Sequence, residues 1–275
     1  MQLNPKHIVF RLVALLLGST SLPLQAHNPL QSDGATFWAA LVAVLLLALF
    51  WLFYVVGSIK RPPQRWRALL FHSSCVLCAI AVIGPLDELA ETSASAHMIQ
   101  HMLFMVVITP MWALSMPLAQ FAAASGHWGR LVWQPLLKLT AFPLSLAYLH
   151  AAMVWFWHTP RFYVLALEHP WWHLVEHFCF IFSAVILWWA VLNCSERSRS
   201  WALLALLFTL MHTGFLGALL TFADTLLYYP EHQLADQQLA GLLMWVPGGL
   251  PYLLAAAWLG YRWLTGRAVN TDPTL

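Results

Sequence analysis

The chain has 275 residues, of which 61% are hydrophobic and 9% charged, and its formal net charge is +2. Soluble domains carry about 25% charged residues, so this composition excludes a water-facing globular fold and indicates an integral membrane protein. The net charge argues neither for nor against nucleic acid; the bilayer is the expected partner, and no nucleic-acid partner is expected.

The first stretch, MQLNPKHIVFRLVALLLGSTSLPLQA, has a basic start (Lys6, Arg11) and a short apolar core, and ends at an A-x-A-like site. This is a secretory signal pattern, too short to span a bilayer. Cleavage after Ala26 would place residues 1–26 in the signal peptide and start the mature chain at His27, outside the cytoplasm. A terminal His27 would offer an α-amine and an imidazole as a chelating pair.

Seven apolar runs follow, near 37–57, 68–85, 97–117, 141–158, 173–192, 201–223 and 239–263. Each is long enough for a transmembrane helix of about 20 residues. Pro110, Pro143 and Pro247 fall within or at the ends of these runs, where kinks are tolerated. No repeat or linker divides residues 27–275, so the reading is one all-α domain, a bundle of seven transmembrane helices.

Lys and Arg set the orientation. Lys60, Arg61, Arg65 and Arg67, then Arg130 and Lys138, then Arg197 and Arg199, and finally Arg262 and Arg267 occupy alternate connections. That side is expected to be cytoplasmic. The other side holds Asp87, Glu88, Glu91, Glu168, Glu231 and Asp236 but only one basic residue after the signal, Arg161. An N-out, C-in protein of the bacterial inner membrane, its N-terminus periplasmic, satisfies both arguments. The four cysteines, Cys75, Cys78, Cys179 and Cys194, lie in or beside apolar runs, where thiols pack as small hydrophobes.

The histidines concentrate at the outer face. The third run begins His97-Met-Ile-Gln-His101, the fourth ends Trp157-His158, and the fifth begins His173-Leu-Val-Glu-His177. Two i, i+4 pairs each share a helix face, with Cβ atoms about 5–6 Å apart. Imidazoles so placed can bind one ion at roughly 2.0–2.1 Å. His158 and the thioethers of Met98 and Met102 are nearby candidates; imidazole suits copper and zinc, and thioether favours Cu(I). Glu176 could ligate the ion or orient an imidazole. His150 and His212 lie deeper, as a second metal station, haem ligands or interhelical hydrogen-bond donors. His232 and Asp236 lie in or at the end of the loop before the seventh run.

Three stretches carry a family resemblance: HMIQHMLFM, WHTPRFYVLALEHPWWHLVEHFCF and DQQLAGLLMWVPGG. Together they resemble the multi-spanning CtaG family of cytochrome c oxidase assembly factors, associated with caa-type oxidases. The resemblance covers about residues 36 to 265. It implies a seven-helix inner-membrane protein, not an enzyme, that supports maturation of a haem–copper oxidase through copper handling. Oxidase subunits or periplasmic copper chaperones would be its partners. The family's histidine motifs fall on His97, His101, His158, His173 and His177, and its third motif includes Asp236 and Gln237.

Two other readings compete. His173-Leu-Val-Glu-His177 matches the H-x-x-E-H zinc-protease pattern, with Glu176 as general base. His150 and His212 could instead ligate haem in a membrane electron carrier.

Overall fold

The computed structural model describes Leu30, residues 34–228 and residues 233–270. The expected signal peptide, His27 and His232 lie outside the described residues.

Every extended regular element among the described residues is helical: α1 (Gly34–Lys60), α2 (Arg65–Ile83), α3 (Pro85–Thr92), α4 (Ala94–Met102), α5 (Thr109–Ser115), α6 (Leu118–Leu139), α7 (Pro143–Trp157), α8 (Pro160–Glu168), α9 (Pro170–Leu192), α10 (Arg199–Thr221) and α11 (Leu234–Asn270). Proline sets many of the boundaries. Pro85, Pro143, Pro160 and Pro170 each open a helix, where the missing N–H costs nothing and the fixed φ is already helical. The connection between the fourth and fifth apolar runs contains α8, a short helix between His158 and His169 that buries Tyr163 and Ala166.

A π-helical segment, Leu103–Ile108, joins α4 to α5. Pro110 cannot supply an N–H to the turn before it, and other donors serve the carbonyls of this region. The Met105 carbonyl accepts from the Trp188 indole at 2.8 Å and from the Thr109 hydroxyl at 2.9 Å. Within α6, Gly126 adopts a φ of 62° and breaks the helix, a backbone state that glycine enters without steric cost.

Six helical segments are long and apolar enough to cross a membrane: Gly34–Lys60, Arg65–Ile83, Ala94–Ser115, Pro170–Leu192, Glu196–Thr221 and Leu234–Thr265. The expected fourth span is a 15-residue helix, Pro143–Trp157, which meets Leu131–Leu139 at 98°. If that bent pair counts as one span, the total is up to seven. Leu45, Leu46, Leu49, Leu52 and Phe53 on α1 leave about half their surface exposed. Apolar exposure of this extent marks a lipid-facing belt, and the chain is a membrane protein.

Two apolar cores flank the middle of the bundle. One gathers Trp51, Tyr54, Phe71, Cys75, Trp112 and Phe121, with Tyr54 stacked on Phe71 at 3.6 Å. The other joins α7, α9, α10 and α11 through residues such as Val154, Leu187, Leu206 and Tyr252. Glycines allow the tightest crossings. A β-carbon on Gly241 would lie 2.5 Å from the Gly217 carbonyl oxygen and 2.6 Å from the Thr221 nitrogen, so α10 and α11 meet backbone to backbone, as small residues permit in membrane bundles.

Candidate metal centre

Helices α4 and α9 carry the two histidine pairs and face each other. Within each pair the ring centroids are 4.1 Å apart: His97 with His101, and His173 with His177. Across the interface, His97 and His173 are 5.3 Å apart, and His101 and His177 5.5 Å. The placement expected from i, i+4 spacing is the one observed.

Glu176 sits at the centre of this group. Its Oε2 lies 3.6 Å from His97 Nε2 and 3.7 Å from His101 Nε2, and all three side chains are essentially inaccessible to solvent. One ligand atom each from His97, His101, His173 and Glu176 falls within 4.8 Å of the others. Four donors at bond lengths of roughly 2.0–2.1 Å around a tetrahedral ion are about 3.4 Å apart. The two Glu176–histidine separations are close to that edge, and none of the others exceeds 4.8 Å. His177 adjoins this quartet without belonging to it.

Several donors in and beside the quartet are not consumed by other protein groups. Both oxygens of Glu176, both ring nitrogens of His101, and Nε2 of His158, His173 and His177 make no hydrogen bond. A buried polar atom left unpaired costs about 1–3 kcal/mol. Their convergence in one place is an arrangement that a bound cation would satisfy. His158 is prepared in the same way: its Nδ1 donates to the Val154 carbonyl at 2.8 Å, which leaves Nε2 with a bare lone pair, the tautomer that second-sphere carbonyls enforce at metal sites. Its ring is 6.2 Å from that of His101.

The other expected site residues divide by position. Met102 does not join the histidines through any contact seen here; its sulfur packs on Gly248 of α11, 2.6 Å from where a β-carbon would stand. One residue beyond His101 is a rotation of about 100° around the helix, which directs Met102 to a different neighbour. Asp236 acts on the helix N-terminus: it accepts from Ala94 N at 2.6 Å, Ser95 N at 3.3 Å and the hydroxyls of Ser93 and Ser95. Ser93 also caps α4, accepting from Ala96 N at 3.2 Å. Asp236 thus fastens the first turn of the helix that presents His97.

His150 is engaged between helices. The Ser183 hydroxyl donates to the Cys179 carbonyl at 2.7 Å, so it accepts from His150 Nδ1 at 2.9 Å. His150 Nε2 then faces the Tyr252 hydroxyl at 3.4 Å. Both nitrogens have partners on α9 and α11, which matches the interhelical role among the expected alternatives. His212 lies 6.4 Å from His150, ring to ring, and neither of its nitrogens makes a hydrogen bond.

Several residues around the centre carried no expectation. Tyr163 packs 5.4 Å from His97 and stacks on Tyr228 at 4.0 Å, and the Tyr228 hydroxyl donates to the His158 carbonyl at 3.0 Å. Gln100, between the histidines of the first pair, donates to the Ala81 carbonyl at 2.8 Å and to Asp87 Oδ1 at 2.7 Å. Burial lifts the Asp87 carboxyl to about 7, with Glu91 adding to the rise and the Gln100 hydrogen bond opposing it. The available signal was the i, i+4 pairing of Asp87 with Glu91 beside the histidine helix.

The family model described as cytochrome c oxidase caa3 assembly factor matches residues 48–266. No curated protein and no solved structure shows significant similarity to the chain.

Proposed function

We propose, because the chain belongs to the cytochrome c oxidase caa3 assembly factor family, that it supports oxidase maturation by holding one copper ion, as Cu(I), at the α4–α9 histidine group. The observation that carries this reading is the buried quartet of His97, His101, His173 and Glu176, whose ligand atoms lie within 4.8 Å of one another. His177 and His158 stand beside it as alternative donors during transfer.

Charge balance favours monovalent copper. A net charge inside a protein costs several kcal/mol unless it is compensated. Three neutral imidazoles, one carboxylate and Cu(I) sum to zero, whereas a divalent ion leaves a buried positive charge. Imidazole donors suit copper on coordination grounds as well. In the bacterial inner membrane with the N-terminus periplasmic, this end of the bundle faces the periplasm. Copper is cargo in this scheme: periplasmic chaperones would supply it, and oxidase subunits would receive it.

Metal analysis of the purified protein tests the reading. Wild type is expected to hold one Cu(I) per chain, and His101→Ala or His173→Ala should weaken binding by at least tenfold. Glu176→Gln should also weaken it, because the shape stays and the neutralising charge goes. Unchanged copper binding in both histidine variants would refute the site. If zinc is bound instead, and Glu176→Gln retains it while function is lost, the metallohydrolase reading prevails.

A further inference from the structure

A cavity of about 60 Å³ lies beside the histidine group, with room for a few water molecules. Its wall includes Thr36 of α1, Asp87 and Glu91 of α3, and His173 and His177 of α9. Glu91 is exposed and Asp87 is half-buried, so the acidic side of the cavity reaches the surface. His177 marks the other side: it is 94% buried by its 6% exposure, and its Nε2 has no hydrogen-bond partner. The cavity wall therefore brings together two carboxylates, the unpaired imidazole nitrogen of His177, and His173 of the quartet.

Asp87 and Glu91 are one turn apart and share a face of α3. Helix stabilisation does not explain the pair. Asp87 lies in the first turn, where a carboxylate suits the helix dipole, but Glu91 is the penultimate residue of an eight-residue helix, where a negative charge is unfavourable. Glu91 also stands near Glu88, and mutual repulsion adds to the effect of burial in raising its carboxyl. Like charges kept together at a cavity mouth attract a cation, which offsets their repulsion.

We infer that this cavity is the access route for the metal cation, with Asp87 and Glu91 drawing it in and His177 passing it to the His97–His101–His173–Glu176 quartet. The inference rests on the copper reading of that quartet. Gln100 couples the two ends, since it binds Asp87 while lying between His97 and His101 on α4. Glu176 supplies the final negative charge, so carboxylates stand at both the start and the end of the path.

The test is the rate of loading, measured apart from the final amount bound. Full-length apo-protein in detergent is mixed anaerobically with Cu(I) acetonitrile complex at pH 8. Glu91→Gln alters only an exposed charge. Asp87→Asn/Glu91→Gln removes both charges and keeps the oxygen that accepts from Gln100. Ala43→Val intrudes on the same cavity without changing charge. The double variant is expected to load about tenfold more slowly, within the range for electrostatic steering, and to reach the wild-type stoichiometry. Added salt should slow the wild type more than the double variant. Ala43→Val should also load slowly to full stoichiometry. Wild-type loading rates in Glu91→Gln and Ala43→Val would overturn the route while leaving the copper site intact. A wild-type protein that takes up no Cu(I) would overturn both.

Discussion

Glu176 and Asp87 show how two carboxylates in one small region are put to different uses by their neighbours. Glu176 is fully buried, faces His97 and His101, and has no hydrogen bond; Asp87 has Gln100 as a donor and also lines the cavity. Because burial raises the folded-state Asp87 value from 3.8 to about 7, the unfolded chain releases this proton first. The stabilising difference is complete below pH about 4 and is lost as pH rises through 7. Asp87→Asn has no such titration. Wild type is therefore expected to lose about 2 kcal/mol relative to Asp87→Asn between pH 4 and pH 8, a figure discounted for partial exposure. Thermal melts of both proteins across that range check it; parallel curves would contradict the assignment. Residue-level patterns in the sequence reached part of this site. The two i, i+4 histidine pairs and Glu176 are legible because helical spacing alone puts them on one face. Met102 lies about 100° around the helix from His101, because adjacency in sequence is not adjacency on a helix. Asp236 could not be read as a cap, because its partners at Ser93, Ala94 and Ser95 are more than 140 residues away.

At the scale of elements, the histidine helix is positioned from several directions. Asp236 of α11 holds its start, Gln100 ties it to α2 and α3, and the Trp188 indole of α9 holds the π segment. Helix α11 must in turn be seated on α10, and the Gly217–Gly241 contact determines how closely it can sit. Gly241→Ala places a methyl group against a backbone carbonyl and a backbone nitrogen, neither of which can rotate away. A loss of about 1–3 kcal/mol is expected, the usual cost of overpacking. Gly248→Ala meets chiefly the sulfur of Met102, a flexible side chain that adapts, with the Leu243 carbonyl oxygen farther off at 3.3 Å, and should cost less. Melting temperatures of the two variants in the same detergent provide the comparison; equal losses would argue against the backbone contact. Most spans were legible as apolar runs, while the bend between α6 and α7 was not. A run at 141–158 reads as one ordinary span, yet a 15-residue helix rises about 22 Å against a hydrocarbon thickness of about 30 Å. The break at Gly126 depends on one backbone angle, and hydropathy carries no trace of it.

For the whole molecule, the polar contacts separate into two ends. At one end Lys60 donates to the Ala123 carbonyl, Gln120 to the Arg61 carbonyl and Arg199 to the Arg262 carbonyl. At the other, Asp236, Asp87 and Tyr228 close the structure around the histidines. Basic residues mark the first end and acidic residues the second. That is the asymmetry expected when the first faces the cytoplasm. Reporter fusions after Arg67 and Arg199 are expected to read cytoplasmic, and fusions after Glu91 and Glu231 external. A cytoplasmic signal at Glu91 would invert the protein and put the candidate copper centre on the wrong side for periplasmic exchange.

The π segment has a further meaning when the third span is treated as two lengths of helix set in phase. A π turn holds about one residue more than an α turn, and each residue advances the helix by about 100°. The surplus residue between 103 and 108 decouples the bearing of His97 and His101 from that of Trp112, which packs into the aromatic core with Phe50. Without it, a straight helix could aim one set correctly only by turning the other aside. The span thus works like a keyed coupling: one half indexes to the histidine pair of α9, the other to the aromatic core, and the extra residue stores the angular offset between them.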